Sequence, residues 1–118
     1  NKYVTRYKDK IKFGITNIGL GKDRLIVHFY IDNQSDKDVK VAVFKNMSFI
    51  DGTRKQYEAI AFESDDFTNI SPGAYKEGKV AFNYSTALIK GNYSFESNFW
   101  IMDPTAGNTH FSIPIVVD

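Results

Sequence analysis

Apolar and polar residues alternate with a period of two along most of the chain. In Lys10–Ile15, the residues Ile11, Phe13 and Ile15 share one parity and Lys10 and Lys12 the other. In Arg24–Asp32, Leu25, Val27, Phe29 and Ile31 alternate with Arg24, Ile26, His28, Tyr30 and Asp32. The pattern returns with Val39, Val41 and Val43, then with Gly78, Val80 and Phe82. It recurs with Tyr93, Phe95, Phe99 and Ile101, and finally with Phe111, Ile113, Ile115 and Val117. Successive side chains of a strand point to opposite faces, so each segment predicts a strand that covers one side of a core. No stretch carries a helical period; Ser85–Gly91 offers a single turn at most.

Turn chemistry separates the runs. The breaks fall at "IGLGKD", "DNQSDKD", "DGT", "SPG", "IKGN" and "DPTAGNT". Asp51-Gly52 predicts a hairpin whose two turn residues both take positive φ. In "ISPGAYKEGKVAFNY", Pro72 presets φ for the second position of a type II turn, and Gly73 supplies the positive φ of the third. Gly78 inside the following strand predicts a bulge or a close backbone approach. Pro114 cannot donate to a ladder, which puts the last strand at an edge or a bulge. Short strands at this spacing predict an all-β fold, an antiparallel β-sandwich of about seven to nine strands. Residues 1–9 read as a tether or an early edge strand, and residues 10–118 as one sandwich domain.

Composition narrows the class. The chain has 118 residues, one domain's length, with 10 Phe and 7 Tyr, and large flat side chains favour pleated surfaces. Cys is absent, which excludes a disulfide, a thiolate metal site and a Cys nucleophile. Net charge is +1 with the signs interspersed, unlike the one-sided basic excess of a nucleic-acid binder. No apolar run approaches the roughly 18 residues of a membrane span. The chain starts at Asn1 and not Met, as expected where a leader or anchor has been removed.

Three phrases carry a family resemblance. "YIDNQSDKDVKV" reads as strand, polar turn, strand; "FIDGTRKQY" as strand, Asp-Gly, strand; "ISPGAYKEGKVAFNY" follows. In this order they resemble the immunoglobulin-like domain of unknown function found in Gram-positive lipoproteins, some of which carry a telomere-binding label. Asn33, Asp51, Gly52, Pro72, Gly73, Gly78, Val80 and Phe82 match that pattern. The match covers about Lys10 to Phe82, and the C-terminal part loosely. The resemblance implies an exported, often lipid-anchored envelope protein with an immunoglobulin-like sandwich and no established chemistry. Family lipoproteins begin at a lipidated Cys that this chain lacks, so an anchor would lie upstream. The charge balance speaks against the telomere label. Trp100 falls late in the chain and no Cys pair is present, unlike antibody domains.

Residues with possible chemistry are few. His28 and His110 both lie on the non-core parity; with a shared acid they would make a weak metal site and a metal-dependent hydrolase. Glu63, Asp65 and Asp66 cluster in "FESDDF" and would supply part of a calcium shell, or only a solvated loop. No Gly-x-Ser-x-Gly elbow occurs. Five Asn-x-Ser sequons, at Asn33, Asn46, Asn69, Asn83 and Asn92, read more simply as codon bias in an Asn-rich chain than as glycan acceptors. No catalytic residue, metal or cofactor is therefore expected.

Apolar residues on the solvent-facing parity point elsewhere. They are Ile26, Tyr30, Phe44, Trp100 and Met102. An exposed aromatic patch marks a binding surface, and Tyr30, Phe44, Trp100 and Met102 are its expected anchors. The resulting expectation is a non-catalytic, extracytoplasmic binding module, lipid-anchored or secreted. Its partner would be a protein, a cell-wall component or a small ligand, with no nucleic acid and no membrane contact beyond an anchor. The expected state is a monomer or weak dimer; a self-associating structural subunit is the other non-enzymatic reading.

Overall fold

The computed structural model describes residues 3–21, 24–41, 47–63, 69–84, 91–101 and 108–117; for 20, 21, 40, 41, 61–63, 98–101, 108, 109 and 117 it describes the backbone alone. The strands are β1 (Arg6–Lys8), β2 (Ile11–Gly21), β3 (Arg24–Asn33), β4 (Val39–Val41), β5 (Met47–Ile50), β6 (Gln56–Glu63), β7 (Tyr75–Phe82), β8 (Gly91–Ile101) and β9 (Asn108–Val117). One sheet runs β1-β2-β3-β7-β6. In the other, β8 carries β9 on one side and β4 and β5 along the other. Every pairing is antiparallel. The fold is thus an all-β antiparallel sandwich.

Strand β6 belongs to both sheets. Its first half pairs with β5 through Phe49↔Tyr57, and its second half pairs with β7 through Phe62↔Val80. The register shifts between Ala59 and Ala61, leaving Ile60 exposed at the shift. An extra residue bends a strand and increases its twist, which is how one strand turns the corner between two layers. The sandwich is closed along this side. On the opposite side β1 and β9 are both edges, bridged where Arg6 Nε donates to Ser112 O at 3.0 Å.

The predicted parity builds the core. Ile11, Phe13, Ile15, Leu25, Val27, Phe29, Ile31, Val80, Phe82, Tyr93, Phe95, Phe111, Ile113 and Ile115 are all buried. Phe13, Phe29 and Phe82 of the first sheet meet Phe49, Phe95 and Phe111 of the second. Contacts such as Phe13–Phe111 at 5.5 Å and Phe82–Phe95 at 6.0 Å are tilted or edge-on, the arrangement the ring quadrupole favours. Tyr84 packs at the margin, edge-on to Phe49 at 5.4 Å and to Tyr57 at 5.0 Å. Among the described residues two inward positions break the apolar rule, Asn33 at the end of β3 and Ser97 in β8. Ser97 is fully buried, and its hydroxyl has no hydrogen-bond partner among the described residues.

Two local expectations need correction. The 51–55 hairpin does turn at Asp51-Gly52, but neither residue has positive φ; Arg54 does, at 73°. Arg54 N donates to Asp51 O and Asp51 N to Lys55 O, giving a three-residue loop that ends in a left-handed residue. The Asp51 side chain sets this geometry: Oδ1 accepts from Thr53 N, Thr53 Oγ1 and Lys55 N, and Oδ2 from Tyr57 OH. Gly78 forms no bulge, because β7 stays in register through Phe29↔Gly78. Pro114 sits in β9, whose pairing partner is β8, so an edge position does hold it. Ser112 O points outward to Arg6, and Pro114 has the same parity, so its missing N–H falls on the open side.

Asn33, Pro72 and Gly73 form one knot at the end of β3. Gly73 has φ 77°, and Ala74 N donates to Ser71 O across the turn, as the "SPG" signal predicts. Gly73 N donates to Asn33 O, and Asn33 N to Ala74 O. The Asn33 side chain is buried and fully paired. Its Nδ2 donates to Lys37 O at 2.8 Å and Ile70 O at 2.9 Å, while Oδ1 accepts from Ser35 N and Ser35 Oγ. Ile70 and Val39 close the knot with reciprocal backbone bonds. The signature residues are architecture, and Asn33 has no surface on which to carry a glycan.

Candidate functional site

Of the four expected anchors, Tyr30 can be placed with its surroundings. Phe44 and Met102 lie outside the described residues. Trp100 is described through its backbone, which pairs with Lys40 and Asn108. Tyr30 stands on the outer face of the first sheet, between buried Phe29 and Ile31. Its ring leans over β2 onto Gly14. A Cβ added there would lie 2.5 Å from Tyr30 Cε1, so this position requires glycine for the ring to lie flat. The Tyr30 hydroxyl hydrogen-bonds with Thr5 Oγ1 at 3.2 Å.

The structure adds a residue that the sequence reading omitted. Tyr75 stacks on Tyr30, with centroids 5.6 Å apart and ring planes at 25°. Tyr75 is 52% exposed. Its hydroxyl donates to Glu77 Oε1 at 2.9 Å. Desolvation, then the hydrogen bond to and charge of Glu77, with Tyr30 and Asp32 nearby, push Tyr75 up to about 12. Its phenol stays neutral and fixed as a donor at any ordinary pH. The signal was present in the sequence: the parity of Gly78, Val80 and Phe82 puts Tyr75 outward, an aromatic among polar positions.

Cross-strand register shows what surrounds the pair. Tyr7 opposes Lys12, Lys12 opposes Asp32, and Asp32 opposes Tyr75, forming one row across β1, β2, β3 and β7. The adjacent row holds Gly14, Tyr30 and Glu77. Gln34 Nε2 donates to Asp32 Oδ2 at 2.8 Å. The outer face thus presents Tyr7, Tyr30 and Tyr75 among carboxylate, amide and ammonium groups. All three tyrosines are carried on strands or at their ends, which fixes their spacing more firmly than loops would.

The alternative of a His28–His110 metal pair does not assemble. His28 alternates with buried Val27 and Phe29 and faces outward from the first sheet; His110 precedes buried Phe111 and faces outward from the second. The core lies between them. Among the described residues, no group of three His, Asp or Glu side chains could hold a metal ion. Asp65 and Asp66 fall outside the described residues, and Glu63 is described through its backbone.

A second polar cluster lies on β8 and β9. His110 Nε2 meets Glu96 Oε1 at 2.9 Å, and Ser112 Oγ donates to Glu96 Oε2 at 2.5 Å. The carboxylate holds the central place that a histidine takes in a Ser–His–acid relay, and the Ser112 hydroxyl donates its hydrogen bond to Glu96, not to His110. This arrangement pins three side chains and does not activate the serine.

Comparisons with known proteins place the fold. No family model matches the chain, and no curated protein matches it. Solved structures do. A functionally unknown protein from Listeria monocytogenes EGD-e superposes with a TM-score of 0.63 at 12% identity, covering 98% of this chain and 82% of that one. An uncharacterized β-sandwich protein from Clostridium difficile 630 gives 0.55 at 9% identity, covering 92% and 89%. The GAE domain of yeast GGA1 gives 0.53 at 7% identity, covering 99% of each chain. At these identities the likeness shows a shared β-sandwich fold. Among the described residues, no helix is long and apolar enough to cross a membrane.

Proposed function

We propose that this protein is a non-catalytic, extracytoplasmic binding module that recognises glycan chains of the cell wall with the outer face of its first sheet. The observation that carries the reading is the Tyr30–Tyr75 stack, seated on Gly14 and open to solvent. Aromatic rings combine a broad apolar face with a polar tip, which suits sugars that are apolar across the ring and polar around it. Asp32, Gln34 and Glu77 stand beside the rings, where they can pair with hydroxyls. Burying Tyr75 under a ligand would supply most of the energy, as aromatic anchors do in other interfaces. The envelope location rests on the resemblance to exported lipoproteins.

The test is co-sedimentation with purified, insoluble wall glycan. The wild type should pellet with it, and Tyr75→Ala should not. Gly14→Ala is the sharper variant. Its Cβ collides with the far end of the flexible Tyr30 side chain, which can swing away and leave the fold intact. Weakened binding with an unchanged melting temperature is expected. Tyr75→Ala binding as tightly as the wild type would remove the tyrosine face from the reading.

A further inference from the structure

The open side of the sandwich has a property that the tyrosine face does not share. A cleft of about 330 Å³ lies between β1 and β9, lined by Arg6, Tyr7, Lys8, His110, Phe111 and Ser112. Its size falls at the lower end of small-molecule sites, and Phe111, a core residue, forms its apolar floor. Register explains its charge. Arg6 opposes Phe13 and Lys8 opposes Ile11, so both basic side chains point to the core side of β1. They face the gap toward β9, which Arg6 spans to reach Ser112 O.

Inward-pointing charges are a known guard for exposed edges, and Pro114 on β9 serves the same end. A guard needs no fixed geometry, however, and these groups have one. Arg6 is oriented by its Nε bond to Ser112 O, the one acceptor it meets among the described residues. That bond uses one of five guanidinium donors and leaves the terminal pair for a ligand. His110 and Ser112 are held in turn by Glu96. Glu96 is itself absent from the lining of the cleft, and among the described residues no carboxylate side chain lines it.

We infer that the cleft between β1 and β9 binds a small organic carboxylate, with its anionic end on Arg6 and Lys8 and its apolar body over Phe111. The planar guanidinium matches a carboxylate with two parallel hydrogen bonds, and Lys8 adds a mobile point charge. A pre-oriented cation loses less freedom on binding than an exposed one.

Amide shifts in a two-dimensional NMR titration test this, with benzoate as the probe. Benzoate should shift the amides of Arg6–Lys8 and His110–Ser112 in a saturable way, and its neutral isostere benzamide should not. Arg6→Gln should weaken benzoate binding by about tenfold or more, the scale of a lost charge-assisted pair. Lys8→Gln, which removes no described contact, should weaken it by less. Rising salt should weaken it too. The proposal is overturned by shifts that do not saturate, by equal binding of benzamide, or by Arg6→Gln binding as the wild type does. Inorganic phosphate shifting the same amides with equal affinity would overturn the carboxylate assignment.

Discussion

Replacing Asn33 should test whether the knot at the end of β3 is a principal stabilising element. Asn33→Ala deletes four hydrogen bonds, to Lys37 O, Ile70 O, Ser35 N and Ser35 Oγ. They do not count equally. Ile70 O keeps a second donor, Val39 N, and the Lys37 and Ser35 groups lie near enough to solvent to find water. At about 1 kcal/mol net per bond, with part of the loss recovered by water, the expected cost is about 2–3 kcal/mol. Asn33→Asp has nearly the same shape and should be worse. It places a carboxylate oxygen where an amide donated to two carbonyls, in a site 0% exposed to solvent. The buried charge must either remain unpaired or take up a proton. Urea unfolding, followed by tryptophan fluorescence, gives both numbers. With a slope of roughly 1.5 kcal/mol/M, the Ala variant should lose about 1.3–2 M in midpoint, with the slope unchanged. Asn33→Asp should gain stability as the pH falls, since protonation restores a donor. Asn33→Asp matching the wild type at neutral pH would show that the amide donors matter little and would refute the reasoning.

Three further outcomes follow from features described above. Ser97→Ala removes a buried hydroxyl that lacks a partner, so it should be neutral or stabilising by up to about 1 kcal/mol in the same urea assay, where an ordinary buried serine would lose stability. Arg54→Gly puts the residue suited to positive φ at the end of the 51–55 loop and should stabilise the fold by about 0.5–1 kcal/mol, read as a higher unfolding midpoint. The Asp51 carboxyl is held below its ordinary value of 3.8, first by the Thr53 hydroxyl, then by the Lys55 and Thr53 amides and the Tyr57 hydroxyl, against a desolvation that raises it. Its folded value is depressed, so the stability it lends is full above 3.8 and is lost as pH falls through the folded value. An acid titration of Asp51→Asn by circular dichroism should therefore show a shallower fall below pH 3.8 than the wild type does.

The parts of this fold that were legible in the sequence are those where one rule decides. Period two placed Phe13, Phe29, Phe82, Phe95 and Phe111 in the core, because a residue slipped by one would expose the whole set. Pro72-Gly73 fixed its turn because few other residues meet those dihedral angles. Misreadings arose where two rules compete. Gly78 signalled a bulge or a close backbone approach, and continuous ladder pairing through Phe29 excludes the bulge. Asp-Gly signalled positive φ, yet the four hydrogen bonds to the Asp51 carboxylate chose a longer loop and passed the positive φ to Arg54. The candidate surfaces were less legible for a geometric reason. Tyr30 and Tyr75 are 45 residues apart in number and come together through the β3–β7 pairing, which no local pattern encodes. Arg6 and Ser112 meet across the open side, and only the layer arrangement brings their strands near each other.

The passage of β6 between the sheets also sets how the molecule can move. Along that side the two layers share the backbone of β6, whose pairing passes from β5 to β7, so they cannot separate without breaking strand pairing. Along the other, among the described residues, the Arg6 side chain spans the gap to the Ser112 carbonyl and no strand pairing does. Slow breathing must therefore be lopsided, with the Phe111 region the first part of the core that water reaches and the Phe49–Phe82 region the last. Backbone amides of β1 and the outward-facing ones of β9 should exchange with solvent long before those of β6 and β7. Any ligand lodged at the open margin would act as a latch, slowing exchange across the whole near half of the core from a single point of contact.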